Sequence, residues 1–541
     1  MKKDVIKYSM KGCILAIILS SYGCNDFLEY EPYGPDTSAN FWKTESDLQN
    51  AVNALYAYQQ IQEVTGRGHI WYECANDNMI PGRSGSSGIG DAFKNFQGSA
   101  DFTRVSDIWQ NMYVLIAKTN DLLRYVPDMN IAQATKDEAI GEAYFFRAYS
   151  YLWMCPWYGD NGPNGGIPIV TEENTVDNMD VARPPSVLDN YEMIISDLRK
   201  AAELLPYFSQ QSPTNYGHPH KAAAWAFAAR AALYASEWDA KYFDIVIEMC
   251  DKVMGLTGLD KRGLYPDFAR LWRVENNFSE EYIFSIPGSG TTGGGSMYHG
   301  MGFQQDGYGY KNTWGYFQPT AELYEAYDEP DDARRDATLL VPGQHIDFVG
   351  HDIHWCVNPP SVSSPTHLTI RKFMSIYEGA DCVGKTVQTS DGHNALATVI
   401  IRYADVLLMK AEALIWKNGE GNSEAKSLLN QIRKRAGLPE NSNATKAELK
   451  KERRLELAHE LLPSRHYDLV RWGDAKEAYS KPLHGYTVKF KTVGDDEYVF
   501  DPSEKIVVWP ARNFDPAKRR LCPIPQPAID SSDNLVQNQG Y

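Results

Sequence analysis

Apolar residues recur at three- and four-residue steps through residues 221–255, KAAAWAFAARAALYASEWDAKYFDIVIEMCDKVMG. That is the period of a helix with one buried stripe. Much of the stripe is Ala, so two helices can approach closely, and the break at Ser236–Asp239 is short enough to join antiparallel neighbours. The same period returns over 398–438, where KNGEGN supplies a turn, Ser423 a helix start and Gly437 a stop. Each segment reads as a helical hairpin of roughly tetratricopeptide size, about 34 residues. Two less regular pairs are predicted, 47–61 facing 105–126 and 136–159 facing 186–205, with long insertions between their members. Four such pairs predict a mostly α fold, a tetratricopeptide-like solenoid with few short strands, 281–286 and 505–509 among them.

Between about 260 and 395 the helical period fades, except at 320–327, and Gly, Pro, Asn, Tyr and Trp crowd in. A loop-rich stretch of that length inside a domain marks a binding region. Helix returns at 445–462. The predicted organisation is a leader at 1–23, a tether at 24–40 and a single unit at 41–541. Within that unit the helical repeats occupy about 41–255 and 398–462, around the insertion at about 260–395.

The N-terminus carries Lys2, Lys3, Lys7 and Lys11, then the apolar run CILAIILS, then SYGC. Charged region, apolar core and cleavage site make a secretory signal, too short for a lasting membrane span of about 20 residues. Gly23 before Cys24 resembles a bacterial lipoprotein site, although Ser21 and Tyr22 depart from the common pattern. Lipidation is therefore expected at Cys24. Removing residues 1–23 takes away four Lys and one Asp, which leaves 49 basic and 69 acidic residues and a balance of −20. A surface of that sign argues against nucleic acid or anionic lipid as the ligand. Beyond Cys24 the six cysteines show no CxxC pair and no regular spacing, so buried free thiols are expected, with a Cys356–Cys382 bridge as the alternative.

Several motifs imitate chemistry. Gly288, Gly290 and Gly293 follow a predicted strand with G-x-G-x-x-G spacing, but GGSMYHGMGFQQDGYGY follows, not the helix that a pyrophosphate needs. No cofactor is expected. HIDFVGHDIH offers His345, Asp347, His351 and His354 on a predicted loop at no common metal spacing, and DEPDDARRD lacks the Gly and closing Glu of a calcium loop. No metal is expected either. RKRAG and KKERR read as solvated helix faces, and RHYDLVRW as a structural pairing of Arg465 or Arg471 with Asp468. No GxSxG, HExxH or catalytic Cys context is present, so the chain does not read as an enzyme.

A series of blocks resembles the SusD/RagB family of Bacteroidetes outer-membrane lipoproteins. They run in order from CNDFLEYEP and FWKTESDLQNAVNALY through IWQNMYVLIAKTNDLL, EAYFFRAYSYLWM and SEEYIFSI. They continue with IRYADVLLMKAEAL, LNQIRKRAGLP, ERRLELAHE, RHYDLVRWG and PIPQPAI. ELLPSRHYDL departs from the pattern, where a Gly before the Arg is usual. The resemblance implies four tetratricopeptide-like pairs with ligand loops on the exposed side. It also implies a non-catalytic lipoprotein that presents oligosaccharides, or peptides in the RagB branch, to a SusC-like TonB-dependent barrel at the cell surface.

A sugar offers an apolar C–H face and a rim of hydroxyls, so its site needs aromatic platforms beside amide, carboxylate or guanidinium partners. Two clusters meet that description. One is Trp71 and Tyr72 with Asn76, Asp77, Asn78 and Arg83. The other is Tyr298, Tyr308, Tyr310, Trp314 and Tyr316. Trp314 and Trp71 lead the candidates, each weighed against core packing. The rival readings are a peptide-import lipoprotein, a pure interaction scaffold and a glycosidase.

Overall fold

The computed structural model describes residues 41–82, 87–288, 308–309, 316–341, 344–348, 351–354, 365–373, 378–380, 386–388, 396–460, 465–489 and 499–541. Helices dominate: α1 (Glu45–Gln59), α2 (Thr103–Tyr125), α3 (Gln133–Tyr158), α4 (Val187–Leu204), α5 (Lys221–Ala235), α6 (Tyr242–Met254), α7 (Tyr403–Asn418), α8 (Ser423–Arg435) and α9 (Lys446–Glu456). They pack as the periodicity predicts: α1 on α2, α3 on α4, α5 on α6 and α7 on α8. Between pairs, α3 lies on α2, α5 on α4 and α7 on α6.

Local chemistry sets the helix ends. Thr44, Ser186 and Thr445 each cap a helix start, and Asp47, Asp189 and Glu448 reach back to complete capping boxes. Gly437 takes φ +81° just past α8, the left-handed residue that stops a helix. Both α5 and α7 are buried almost all round, so they form the inner layer of the solenoid. The Ala-rich stripe of α5, including Ala223, Ala224, Ala228 and Ala231, has no exposed surface. No helix among the described residues is long and apolar enough to cross a membrane.

Most strands are short and paired in two-stranded ribbons, with one three-stranded sheet among the described residues; β1 (Met79–Pro81), β2 (Tyr282–Ile286), β3 (Phe317–Pro319) and β4 (Thr398–Arg402) carry the argument below. Residues 398–402, read from periodicity as the start of a helix, form β4 and pair antiparallel with β2. TVIIR opens with four β-branched residues and is buried throughout, and such a run cannot be told from a buried helix by period alone. HIDFVGHDIH is a hairpin, not a loop, with His345 opposite His354 and Phe348 opposite His351. Residues 505–509 end the longer strand Val499–Trp509. Cys74, Cys155 and Cys250 are free and buried, and Cys522 is free and partly exposed. Cys356 and Cys382 lie outside the described residues.

The charged runs correct the sequence reading most. In RKRAG, Arg433 is buried and Arg435 turns inward; in KKERR, Glu452 and Arg453 are buried. Arg402 stands at the centre of the network they join. Its guanidinium meets Glu281 at 2.5 Å, Glu456 at 2.6 Å and Glu460 at 2.8 Å, with no side chain more than 3% exposed. Lys372 adds a 2.6 Å bond to Glu460, and Arg334 bridges Asp332 and Glu452 at 2.8 Å each. Arg435 also pairs with Glu281 and Glu456. Next to this network, Arg453 ties Asp405 to Asp468, and Arg471 pairs with both Asp468 and Glu412. Pairing of this kind offsets the cost of burying so many charges. Arg471 therefore makes the structural pair expected in RHYDLVRW, while Arg465 goes elsewhere.

Candidate functional site

The short helix Arg67–Glu73 carries Trp71 and Tyr72, and a tight turn leads from it into β1. β1 runs antiparallel to β3, with Met79 opposite Pro319, Ile80 opposite Gln318 and Pro81 opposite Phe317. The Gly82 N–H extends the ladder by donating to the Tyr316 carbonyl at 2.8 Å. This ribbon brings Trp71 of the first cluster against Tyr316 of the second, far apart in the chain. Behind the ribbon, helix Ser87–Lys94 approaches so closely that a Cβ on Gly90 would stand 2.7 Å from Pro81 and 3.1 Å from Trp71.

The aromatic residues divide into core and rim. Trp71 is 2% exposed and packs edge-on against Phe317 at 4.8 Å and against Tyr316 at 5.6 Å. Tyr72 is 1% exposed; its hydroxyl meets that of Tyr158 at 2.8 Å, and its ring lies 4.7 Å from both Phe93 and Trp157. Desolvation holds the Tyr72 hydroxyl protonated, its pKa well above the usual range. Buried rings present no face for a sugar to stack on, so in this geometry Trp71 and Tyr72 support the ribbon. Tyr316 is half-buried at its edge. Tyr308 is described only in its backbone, paired with Gly379. Arg83, Tyr298, Tyr310, Trp314 and Cys24 lie outside the described residues.

The polar members of the first cluster also point inward. Asn76, Asp77 and Asn78 are buried. Asn76 donates to Glu73 at 3.0 Å and accepts from the Asn78 N–H at 2.7 Å, closing the turn. Asp77 takes a two-pronged bond from Arg465, at 3.0 and 3.1 Å, and lies 3.4 Å from Arg454. Burial pushes its carboxyl upward, but the two guanidiniums outweigh that and hold it well below the usual carboxylate range. Arg454 donates to Asn78 at 2.8 Å. Thr320, just after β3, returns two bonds to the main chain of Asp77 and Asn78. These three residues are the footing of the ribbon.

Sequence reasoning missed four cations in that footing. Lys94 is fully buried and donates to the carbonyls of Asn76 and Met79 at 2.6 and 2.7 Å. Arg512 donates to the carbonyls of Ala75 and Lys94. Desolvation lowers the pKa of both, Arg512 to about 10. Arg454 and Arg465 are the other two. The helix face of Leu449, Glu452, Arg453 and Glu456 turns part of KKERR inward but leaves out Arg454, so no local signal marks Arg454. Lys94 and Arg512 carry none either, because their partners are main-chain carbonyls distant in sequence.

Among the described residues no group of three or more His, Cys, Asp and Glu is placed to hold a metal ion. The ribbon offers partly exposed aromatic surface on a rigid, ion-paired base, an arrangement suited to holding a ligand in place.

Comparison with known proteins agrees with this architecture. A family model described as "SusD family" matches residues 280–541, and one described as "Starch-binding associating with outer membrane" matches residues 26–233. A SusD-like protein of Formosa agariphila is 27% identical, over 98% of this chain and 99% of its own. Among solved structures, a SusD-like protein from Bacteroides fragilis superposes with a TM-score of 0.75 at 24% identity, covering 93% of this chain and 99% of its own. Surface glycan-binding protein A from Bacteroides uniformis gives 0.70 at 22% identity, covering 92% and 100%. Two family models that follow one another along the chain, a relative matched from end to end and a shared helical-pair fold give one answer: the protein belongs to the SusD/RagB family.

Proposed function

We propose that this protein is a glycan-binding lipoprotein of the outer membrane, anchored at Cys24. On this reading it captures oligosaccharides at the cell surface and passes them to a SusC-like TonB-dependent transporter. Tyr316 carries the argument: it is a half-buried ring at the end of the β1–β3 ribbon, on a base held by ion pairs and next to a segment whose composition suits a sugar. The starch-binding family model, and fold neighbours that bind glycans, laminarin among them, favour a saccharide over other ligands. Tyr316, with Trp314, Tyr310, Tyr308, Tyr298 and Arg83 from the adjoining segments, supplies the stacking and hydroxyl-binding groups. Binding requires no cofactor or metal, and no hydrolysis is assigned to the protein.

Native affinity gels cast with a panel of polysaccharides test the reading, with a peptide mixture titrated by calorimetry alongside. Retardation by one polysaccharide, lost in Trp314→Ala and Tyr316→Ala, is the expected result. Heat on peptide addition without retardation by any glycan overturns it in favour of peptide import. Release of products from a retarding polysaccharide overturns the non-catalytic assignment.

A further inference from the structure

A cleft of about 430 Å3 runs along one face of α2, on elements separate from the ribbon. Trp109, Tyr113, Ile116, Ala117, Asn120 and Arg124 line its length, at the three- and four-residue steps of a single helix face. From Trp109 to Arg124 that face is about 22 Å long at 1.5 Å per residue. The segment around Pro168–Thr171 and Met179–Val181 forms one wall, and Ala528 and Leu535 form another.

Most polar groups of the cleft hold these walls; Asp121, half-exposed, instead lies 3.4 Å from Arg124 on the same helix. Tyr113 donates to the Pro168 carbonyl at 2.8 Å and Asn120 to that of Val170 at 3.1 Å. Arg124 donates to the carbonyls of Glu172 and Asn174, both at 2.7 Å. Asp180 accepts from the Asp533 N–H at 2.9 Å. The surface left for an occupant is mainly apolar: Ile116, Ala117, Val170, Val181 and Leu535, with Met179 half-exposed at the rim.

The described chain begins at the Arg124 end of this groove. Trp42 stacks on Tyr125, the last residue of α2, with ring centroids 5.2 Å apart. Upstream lies FLEYEPY, residues 27–33, in which Phe27, Leu28, Tyr30 and Tyr33 give a run of apolar side chains. Extended, those seven residues span about 23 Å, the length of the groove, and residues 34–41 reach about 26 Å, enough to turn back from Trp42.

We propose that the groove along α2 is the docking site of this chain's own segment Phe27–Tyr33. Docking covers apolar surface on both partners and removes slack from the tether. On the lipoprotein reading, it holds the body of the protein at a short, fixed distance from the membrane.

The test places a photo-reactive benzoylphenylalanine at position 30 of the full chain and maps the crosslinks by mass spectrometry. Crosslinks to residues 109–124, 168–181 or 528–535, abolished by Ala117→Trp on the exposed floor of the groove, are expected. The double variant Phe27→Asp, Leu28→Asp should in turn raise the rate of Met179 oxidation by peroxide several-fold. Crosslinks only to other surfaces, or none, with Met179 oxidation unchanged, overturn the proposal. None of these readouts depends on which ligand the ribbon binds.

Discussion

Asp77 and Arg465 form a two-pronged ion pair, at 3.0 and 3.1 Å, between the turn that enters β1 and the helix Arg465–Arg471 far along the chain. A second guanidinium, that of Arg454, lies 3.4 Å from the same carboxylate. Asp77→Ala leaves both arginines without their anion, and breaking such a pair from one side costs about 3 kcal/mol. Urea unfolding should show that loss. Asp77→Asn keeps the shape and part of the hydrogen bonding, and should lose less.

Trp71 and Tyr316 touch, yet their substitutions should separate. Trp71 sits in the core, so Trp71→Ala should destabilise by roughly 3–5 kcal/mol, the usual cost of a large-to-small core change. Tyr316 is half-buried at the edge. Tyr316→Ala should keep the melting temperature within a few degrees while weakening oligosaccharide binding about tenfold. Calorimetry and thermal unfolding on both variants would show the split, and equal effects on stability would remove Tyr316 from the binding surface.

Arg402 pairs with three buried carboxylates, those of Glu281, Glu456 and Glu460. Arg402→Met fills similar volume but leaves Lys372, Arg334 and Arg435 as the remaining cations of the network. The expected outcome is a loss of about 3–5 kcal/mol. Soluble yield and urea midpoint measure it.

Acid should unfold the protein early, and two histidines set where the loss begins. Burial lowers His466 to about 3, helped by the positive charge of Arg512, Arg520 and Lys94, and lowers His220 to about 3, helped by Arg262. A folded pKa below the unfolded one means that the unfolded chain takes up protons first as the pH falls. The contribution is therefore complete above about pH 6.5 and is lost progressively down to about pH 3. At pH 5 each histidine should cost roughly 2 kcal/mol relative to pH 7.5. Glu456, held low by Arg435, Arg402 and Arg334 against its own desolvation, adds loss of the same sign at still lower pH. Urea unfolding of His466→Gln at the two pH values should show a stability difference about 2 kcal/mol smaller than in the unchanged protein.

The helical pairs were legible because their evidence is local. The stripe of KAAAWAFAARAALYA and the Gly after RKRA act within a few turns, and nothing distant alters a 3.6-residue period. The acidic balance and the order of family blocks are likewise properties of the sequence itself. TVIIR escaped because a short, fully buried run is equally apolar as helix or strand; pairing with Tyr282–Ile286 decided it.

The site depended on what only three dimensions provide. Trp71 and Tyr316 are both aromatics among polar neighbours, and the sequence reading put Trp71 ahead. The close approach of helix Ser87–Lys94 and Phe317 put one in the core, and the end of the ribbon left the other at the edge. Charge behaved in the same way. KKERR reads as solvated because burying a cation is costly, and that cost is met only when acceptors from another element arrive at hydrogen-bond distance, carboxylates for Arg453 and main-chain carbonyls for Lys94. Arg453 finds Asp405 and Asp468, and Asp77 finds Arg465. Periodicity fixes which residues share a helix face, but the partner that makes a buried charge tolerable comes from elsewhere in the fold.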